Sequence, residues 1–284
     1  METLRKELAY QKTGYLDEAF KLFYITDQNC KTFEYHYHDF HKILIFLQGN
    51  VSYTIEGKQY ELKPMDIVLV RAGEIHRPVI HDTSVYERMI AYLSPSFFEE
   101  YRQSGTDLFQ CFSRSQLQQS GLIRLSGAAA DHALAHCCRE LTDGFGKTAF
   151  GTELYRKVKF MEFLILLNRY ILEDSFQYAS PMTSNPTVLN IMEYINAHLT
   201  EEALSIDSIA KAVFLNRSYL MHLFKEETGY TIGKYISEKR MFLARKCILE
   251  GMSVTEACYR SGFKNYTSFY YAYKNKYGCA PTKK

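Results

Sequence analysis

The sequence has no tryptophan, only 6 prolines among its 284 residues, and no long apolar run. A helix that crosses a bilayer needs ~20 consecutive apolar residues. The longest apolar stretch here, residues 160–167, is interrupted by Glu162. Residues 1–7 lack the apolar segment of a secretory signal. We therefore expect a cytoplasmic protein with no membrane partner.

The cysteines are scattered, and no two of the 7 have the Cys-x-x-Cys spacing. Zinc ribbons and dithiol redox centres depend on that spacing, so the sequence supports neither. Free thiols are the expected state of these residues in a reducing compartment.

Charge is divided unevenly along the chain. The whole sequence has 34 Lys and Arg against 32 Asp and Glu, but residues 186–284 have 14 against 9. A basic C-terminal part beside a mildly acidic remainder indicates an end that binds a polyanion. The chain is long enough for two domains, each with its own core.

Residues from about 20 to 93 have the pattern of short strands separated by turns. β-Branched and aromatic residues dominate the segments, and Gly49, Gly57 and Gly73 mark the turns. No helical pattern intervenes, which predicts an antiparallel barrel or sandwich and not βαβ units. The predicted strands are 20–25, 33–37, 43–47, 51–55, 59–62, 67–70 and 86–93.

Helical periodicity begins near residue 95. Helices are predicted at 95–101, 128–141 and 153–172, and the last has more apolar residues than one face needs. Two interpretations of it stay open, a core helix between domains and a dimerisation helix. A polar stretch with Pro181 and Pro186 follows and is typical of a linker.

These patterns predict an α+β multidomain chain. It comprises an N-terminal antiparallel β-barrel domain at 1–105, a helical connector or dimerisation region at 106–175, a linker at 176–187 and an all-helical domain at 188–284.

The helical domain contains a repeat. A short helix with a small residue, a tight turn and a longer helix that ends at glycine occur twice. Ala210 and Ala257 are 47 residues apart, and Lys225 and Lys274 are 49 apart, which predicts two extra residues in the second turn. A small residue lets the second helix cross the first closely, as a helix-turn-helix requires.

The motifs of this repeat resemble a known family. The segments L-M-H-L-F-K-E-E-T-G at 220–229 and S-G-F-K-N at 261–265, with Gly278 and Pro281, are similar to the DNA-binding domain of AraC/XylS-type transcriptional regulators. The resemblance covers residues 188–282 and implies two helix-turn-helix motifs that bind double-stranded DNA. At Tyr271 a common arginine of the family is absent, which we expect to change the bases that are read and not whether DNA is bound.

Each longer helix of the repeat has one face that is predicted to point to solvent. The major groove admits one α-helix, whose N-terminal turns reach base edges, and nearby lysines reach phosphates. Two such helices on one connecting helix should enter successive major-groove faces ~34 Å apart. For the tyrosines, simple surface packing is an alternative. The predicted DNA-contacting residues are Arg217, Ser218, Met221, His222, Lys225, Lys264, Tyr266, Thr267, Tyr270, Tyr271 and Lys274.

The strand-rich domain has a second set of motifs. H-Y-H-D-F-H-K at 36–42 and G-E-I-H at 73–76 resemble the cupin barrel that AraC-type regulators use as a sensor. Strand alternation places His36 and His38 on one face, and a barrel can bring His76 to the same interior. The resemblance also shows two departures, since Lys42 stands where metal cupins have glutamate and Met65 replaces the usual glycine.

Lys42 determines which ligand we expect. A cation there repels a divalent metal and favours an anionic or hydroxylated molecule, so neither a metal nor a cofactor is predicted. The hypothesis is a small effector, such as a sugar or an organic acid, bound by His36, His38, Lys42 and His76. The alternative is that these are hydrogen-bonded structural residues.

The leading interpretation is a sequence-specific DNA-binding transcriptional regulator, without enzyme activity, whose barrel senses a small-molecule effector. A homodimer is expected, and RNA polymerase is a further candidate partner. The alternative from another class is a cupin metalloenzyme, an isomerase or dioxygenase, with an accessory helical domain. A third is a protein-binding adaptor whose helix pairs do not touch DNA.

Overall fold

The computed structural model describes Leu16 and residues 19–28, 33–102, 105–125, 133–146, 149–173 and 177–282. The chain divides into two compact units at Met182, except that Glu56–Lys58 group with the residues from Thr183 onwards. This division falls inside the predicted linker at 176–187, of which residue 176 lies outside the described residues.

Two antiparallel sheets form the framework of the N-terminal unit. One has the strand order β1-β7-β2-β5-β8-β9, and in the other β4, β3 and β6 are neighbours. The antiparallel, cupin-like architecture predicted from the sequence is confirmed. The strands are β1 (Phe20–Asp27), β2 (His41–Gln48), β3 (Val51–Ile55), β4 (Lys58–Glu61), β5 (Ile67–Val70), β6 (His76–Ile80), β7 (Tyr86–Leu93), β8 (Leu122–Arg124) and β9 (Gln177–Tyr178).

Within the described residues, four helices and one 3-10 turn belong to the same unit. They share a hydrophobic core with one face of the first sheet, so the predicted connector at 106–175 packs as part of this unit. Its residues 126–132, which include the start of the helix predicted at 128–141, lie outside the described part of the chain. The helices are α1 (Pro95–Arg102), α2 (Gln110–Leu117), α3 (Ala133–Asp143) and α4 (Thr152–Leu172), with the 3-10 turn at Gly144–Gly146.

Alternation along strand β2 separates two cores. Ile43 and Ile45 point to the side covered by the helices, whereas Leu44 and Phe46 point to the side that faces the second sheet. Successive side chains of a strand point to opposite faces, so Lys42 shares the environment of Leu44 and Phe46. This rule places Lys42 between the sheets.

The structure corrects three predictions for the unit. The strand predicted at 33–37 is reduced to a single bridge between His36 and His76. Strand β6 was not predicted, because Pro78 argues against a strand except at a sheet edge, which is where β6 lies. Part of the predicted linker is strand β9, which pairs with β8.

Six helices are described in the C-terminal unit, after the short strand β10 (Thr183–Ser184). The two halves of the repeat match in length, since α6 and α9 have 7 residues each and α7 and α10 have 12 each. The predicted pair of helix-turn-helix motifs is therefore present. The helices are α5 (Pro186–Ala197), α6 (Ile206–Ala212), α7 (Arg217–Thr228), α8 (Ile232–Leu249), α9 (Val254–Arg260) and α10 (Tyr266–Tyr277).

The helix caps correct the register of the repeat. Ser205 and Ser253 accept hydrogen bonds as the N-caps of the short helices, and Asn216 and Asn265 do so for the long ones. The short helices are thus offset by 48 residues and the long ones by 49. The second turn has one extra residue and not two.

Arg240 of α8 connects the two halves of the C-terminal unit. Its guanidinium donates to the carbonyl oxygens of Leu199 and Glu201, each at 2.8 Å. Gly262, in the turn of the second motif, has a φ of 90°, and a Cβ there would lie 2.8 Å from the Leu199 oxygen and 2.7 Å from Arg240 Nε. The turn therefore packs directly on this hydrogen-bonded junction.

We expect Gly262→Ala to destabilise the C-terminal unit by about 1–3 kcal/mol, because the alanine would combine a left-handed φ with a steric clash. Gly233→Ala is the matched control, since its Cβ would meet nothing within 4 Å and alanine favours a helix. Urea unfolding of both full-length variants measures the difference. Equal stabilities for the two would contradict the structural role of Gly262.

Candidate functional site

The exposed face of α7 carries the residues predicted to read DNA. Leu220, Leu223 and Phe224 are buried against the rest of the unit. The opposite face of the helix is exposed. The exposed residues of this face that were predicted are Ser218, Met221, His222 and Lys225.

Two acidic neighbours of this face were not predicted. Arg217 donates from Nη1 to both carboxylate oxygens of Asp207, at 2.7 and 2.8 Å, so its guanidinium is in an ion pair with α6. Glu226 lies 3.6 Å from the imidazole of His222, one turn away on α7. The spacing of four residues between His222 and Glu226 is the sequence signal that could have found this pair.

On α10 the structure separates the predicted residues into two groups. Thr267, Tyr271 and Lys274 are exposed, as is Lys264 just before the helix. Tyr266 and Tyr270 are only half-exposed.

Packing explains why Tyr266 and Tyr270 differ from the prediction of fully exposed side chains. Tyr266 lies three residues before the buried Phe269, on the same side of the helix, and the two ring centroids are 6.2 Å apart. Tyr270 in turn packs on Tyr266 at 6.3 Å. The predicted residues that remain on the exposed face of α10 are Thr267, Tyr271 and Lys274, with Lys264 beside it.

Phe214 is an exposed residue that the sequence analysis missed. It lies in the turn between α6 and α7, has a φ of 55° and is 94% exposed. The turn of the second motif has Gly262 in the left-handed region. A bulky residue at a positive φ is uncommon and costs free energy. The exposed ring of Phe214 forms part of the surface beside α7.

The second candidate site lies between the sheets of the N-terminal unit. Lys42 of β2 is 2% exposed and donates from Nζ to the hydroxyl of Tyr53 on β3, at 2.9 Å. Arg88 of β7 is also buried and forms an ion pair with Asp27 at 2.7 Å. Tyr53 and Arg88 were not predicted, although strand alternation places both on the side that faces Lys42.

Three histidines meet beside Lys42. The backbones of His36 and His76 exchange two hydrogen bonds, of 3.1 and 2.9 Å, and His38 follows His36 at a spacing of two. The ring centroids are 4.4 Å apart for His36 and His76 and 5.1 Å apart for His38 and His76. The structure therefore brings together all four residues that were predicted to bind an effector.

Burial perturbs the titration of this cluster. It lowers the pKa of His38 to about 2, with smaller contributions from Lys42 and His36. The pKa of His76 is also well below its usual value, mainly because the side chain is buried and then because of Lys42. Burial, followed by the charge of Arg88, lowers the pKa of Lys42 to about 7. At neutral pH the His38 and His76 imidazoles are neutral.

Within the described residues, the three histidines form the one group of His, Cys, Asp or Glu side chains that is close enough to hold a metal ion. One ring nitrogen of each lies within 4.8 Å of the others. No described helix has the length and apolar character that a membrane span requires.

Two protein-family models match the sequence. One, described as an AraC-like ligand binding domain, matches residues 23–164, which is half of the chain. The other, described as a helix-turn-helix domain, matches residues 209–284. The two matches correspond to the sheet-containing unit and to the helical unit.

Whole-chain relatives and solved structures are also found. The transcriptional activator RhaS of Escherichia coli is 24% identical over 255 residues, which are 88% of this chain and 86% of RhaS. RhaS of Salmonella heidelberg is 26% identical over 255 residues, with the same coverage. The structure of ToxT from Vibrio cholerae has a TM-score of 0.36 and 15% identity, and covers 93% of this chain and 96% of ToxT. The C-terminal domain of AraT from Geobacillus stearothermophilus has a TM-score of 0.33 and 26% identity, and covers 34% of this chain and 81% of that domain.

A cupin-like ligand-binding domain followed by paired helix-turn-helix motifs defines a transcriptional regulator. The chain belongs to the AraC family of these regulators. The curated relatives are transcriptional activators, so the prediction of a regulator and not a cupin metalloenzyme is confirmed.

The low pKa of Lys42 predicts a pH-dependent stability. Between about pH 7 and 10.5 the unfolded lysine binds a proton that the folded one has lost, so the free energy of unfolding rises with pH through this interval. Lys42→Met removes the contribution. We expect the variant to be more stable than the wild type at pH 7, and this advantage to shrink toward pH 9.

Urea unfolding at pH 7, 8 and 9 tests this expectation. The groups that act on Lys42 or respond to it are Arg88, Tyr53, His38 and His76, and the substitution leaves all four in place. Lys63→Met, at an exposed lysine of the same unit, is the control. A stability difference between wild type and Lys42→Met that does not change with pH would contradict the assignment.

Proposed function

We propose that the protein is a transcriptional activator that binds an asymmetric DNA site of roughly two helical turns with α7 and α10, under the control of a small effector bound at the His36–His38–Lys42–His76 cluster. The observation that carries the DNA-binding half is the repeat itself. Two motifs with matched lengths and caps are joined by α8, and each presents one exposed helix face.

The two faces differ in chemistry, which supports an unequal division of the recognition. The face of α7 offers Ser218, Met221 and His222, groups that form hydrogen bonds or apolar contacts with base edges. The face of α10 offers Thr267 and Tyr271, which have few bidentate donors. We expect α10 to contribute more through shape, methyl contacts and phosphates, with Lys264 and Lys274 as the phosphate ligands.

The effector half rests on the cluster between the sheets. Buried polar groups are costly unless they are bonded, and among the described residues neither ring nitrogen of His38 nor Nε2 of His76 has a hydrogen-bond partner. A hydroxylated or anionic molecule would offer acceptors to Lys42 and partners to the imidazoles, which favours a sugar or an organic acid. An effector controls DNA binding only if it binds two arrangements of the protein with different affinities.

A second copy of the chain is the partner that we propose for α4. Buried residues of this helix, among them Phe160, Phe163 and Leu167, belong to the core of the N-terminal unit. The other side exposes a stripe of apolar residues, whose four positions fall within an arc of about 40°. The stripe consists of Leu154, Val158, Ile165 and Leu172, which are 37–67% exposed.

Charge beside the stripe supports pairing of two identical helices. Glu162 and Arg169 lie on the same side of it, seven residues apart. In an antiparallel pair this side of one helix faces the same side of the other, so each carboxylate can meet the guanidinium of the second copy. An activator also implies RNA polymerase as a partner. Because an activator must meet the chromosome, we expect it to act in the cytoplasm.

Selection of bound sequences from a random duplex pool supplies the DNA for a test of the recognition faces. We expect Lys225→Ala to weaken binding to selected and random duplexes alike and to reduce the salt dependence by about one phosphate contact. His222→Ala and Met221→Ala should weaken binding to the selected site by about 1–3 kcal/mol and relax its sequence preference. Fluorescence anisotropy at several salt concentrations measures both effects.

Lys63→Ala, an exposed lysine of the other unit, serves as the control and should bind as the wild type does. Equal losses of affinity for Lys225→Ala, His222→Ala and Met221→Ala on both kinds of DNA would contradict the division between phosphate and base contacts. Failure of the wild type to bind any duplex would overturn DNA binding itself.

The dimer is tested by placing a charge in the α4 stripe. We expect Val158→Glu to convert the dimer to a monomer, with a dissociation constant raised at least ~100-fold, because two carboxylates would be buried at the two-fold interface. Sedimentation velocity measures the change. Leu117→Glu, at an exposed leucine of α2, is the matched control and should remain dimeric. A wild-type protein that is monomeric at ~50 µM would exclude this interface.

A further inference from the structure

We propose that His36, His38 and His76 together bind one divalent transition-metal ion of the zinc type. The proposal depends on the function proposed above in one respect, namely that the ion would form part of the effector site. The metal site itself stands on the geometry of the three imidazoles.

The distances fit a site that closes around an ion. Zinc is held by imidazole nitrogens at ~2.0–2.1 Å in tetrahedral geometry, which places neighbouring ligand atoms ~3.4 Å apart. One ring nitrogen of each histidine already lies within 4.8 Å of the others. The reciprocal backbone hydrogen bonds between His36 and His76 hold two of the three rings in place. Small side-chain rotations would complete the site.

Hydrogen bonds to the backbone set the tautomers that a metal requires. Nδ1 of His36 lies 2.9 Å from the carbonyl oxygen of Glu34, and Nδ1 of His76 lies 3.0 Å from that of Glu74. A carbonyl oxygen only accepts, so each Nδ1 carries the proton and each Nε2 presents a lone pair. Metal-bound histidines are held in this way by outer-shell acceptors in proteins generally.

The buried ring nitrogens of this cluster favour a bound metal ion. Among the described residues, no hydrogen-bond partner is found for either ring nitrogen of His38 or for Nε2 of His76, and both side chains are almost fully buried. Leaving such atoms unsatisfied costs about 1–3 kcal/mol each. A metal ion bound to these nitrogens would remove that cost.

The donor set selects the class of ion. Three neutral imidazoles suit Zn²⁺, Cu²⁺ or Ni²⁺, whereas Mg²⁺ and Ca²⁺ need oxygen ligands. A four-coordinate ion held by three histidines has one position left, which an oxygen of an organic effector would fill. The departure from a cupin metal site is Lys42, whose amine is bonded to Tyr53 and whose charge opposes the ion.

The test uses full-length protein stripped with a chelator and then titrated with CoCl₂ or ZnCl₂. We expect one ion per chain after gel filtration, measured by mass spectrometry of the metal, and a visible Co²⁺ absorption spectrum typical of nitrogen ligands in a tetrahedral site. His38→Ala and His76→Ala should each weaken binding at least ~100-fold, and Lys42→Met should strengthen it because a repelling charge is removed.

His81→Ala is the control, since His81 is exposed and its Nε2 already lies 3.0 Å from Ser52 Oγ. His36→Gln, at a half-buried position, gives a second ligand variant should the buried ones fail to fold. No retained metal, or binding that none of the three ligand variants weakens, would overturn the proposal. DNA binding is measured on the same samples as a separate readout. A protein that binds DNA but no metal would overturn only the metal site, whereas a protein that binds no DNA would overturn the proposed function.

Discussion

The proposed recognition of DNA by α7 and α10 depends on the junction around Arg240. Its guanidinium ties the carbonyl oxygens of Leu199 and Glu201 to α8, and the turn of the second motif closes on that junction at Gly262. Because α8 has 18 residues, it spans about 27 Å between the two motifs. A mobile junction would let α7 and α10 drift apart, and two helices can enter neighbouring grooves together only when their separation is fixed.

A half-buried ion pair lies on the other side of the same helix. Lys276 of α10 pairs with Glu238 of α8, and burial lowers the pKa of that lysine to about 7 and raises that of the glutamate. Ion pairs withdrawn from solvent contribute little net stability, but breaking one leaves an uncompensated charge. Its value here is geometric, because it fixes the orientation of α10 on α8.

Local signals were enough to predict the elements on which function depends. Serine and asparagine caps, terminal glycines and apolar spacing located the helices of the C-terminal unit to within a few residues. The repeat was visible in the same signals. Its register was not, because identical residues were aligned in place of caps, and only the caps define where each helix begins.

Long-range packing accounts for what the sequence could not predict. Nothing local shows that Tyr266 packs on Phe269, or that Nε2 of His76 has no hydrogen-bond partner in the described part of the chain while Nδ1 is bonded. Met65 is an intermediate case. It replaces the expected glycine and yet has a φ of 72°, because its amide donates to the Phe46 oxygen at 2.7 Å and holds the turn. The left-handed turn is therefore present although methionine stands at the position where glycine usually signals it.

The two faces of β2 link the candidate effector site to the proposed dimer helix. Lys42 lies on the face between the sheets, while Ile43 and Ile45 on the other face share a core with Phe160 and Phe163 of α4. Protein cores are close-packed, so a shift of the β2 backbone on binding a ligand displaces side chains on both faces. The exposed stripe of α4 lies on the far side of that core. A ligand bound at Lys42 would therefore act on the proposed dimer helix through the core that β2 and α4 share.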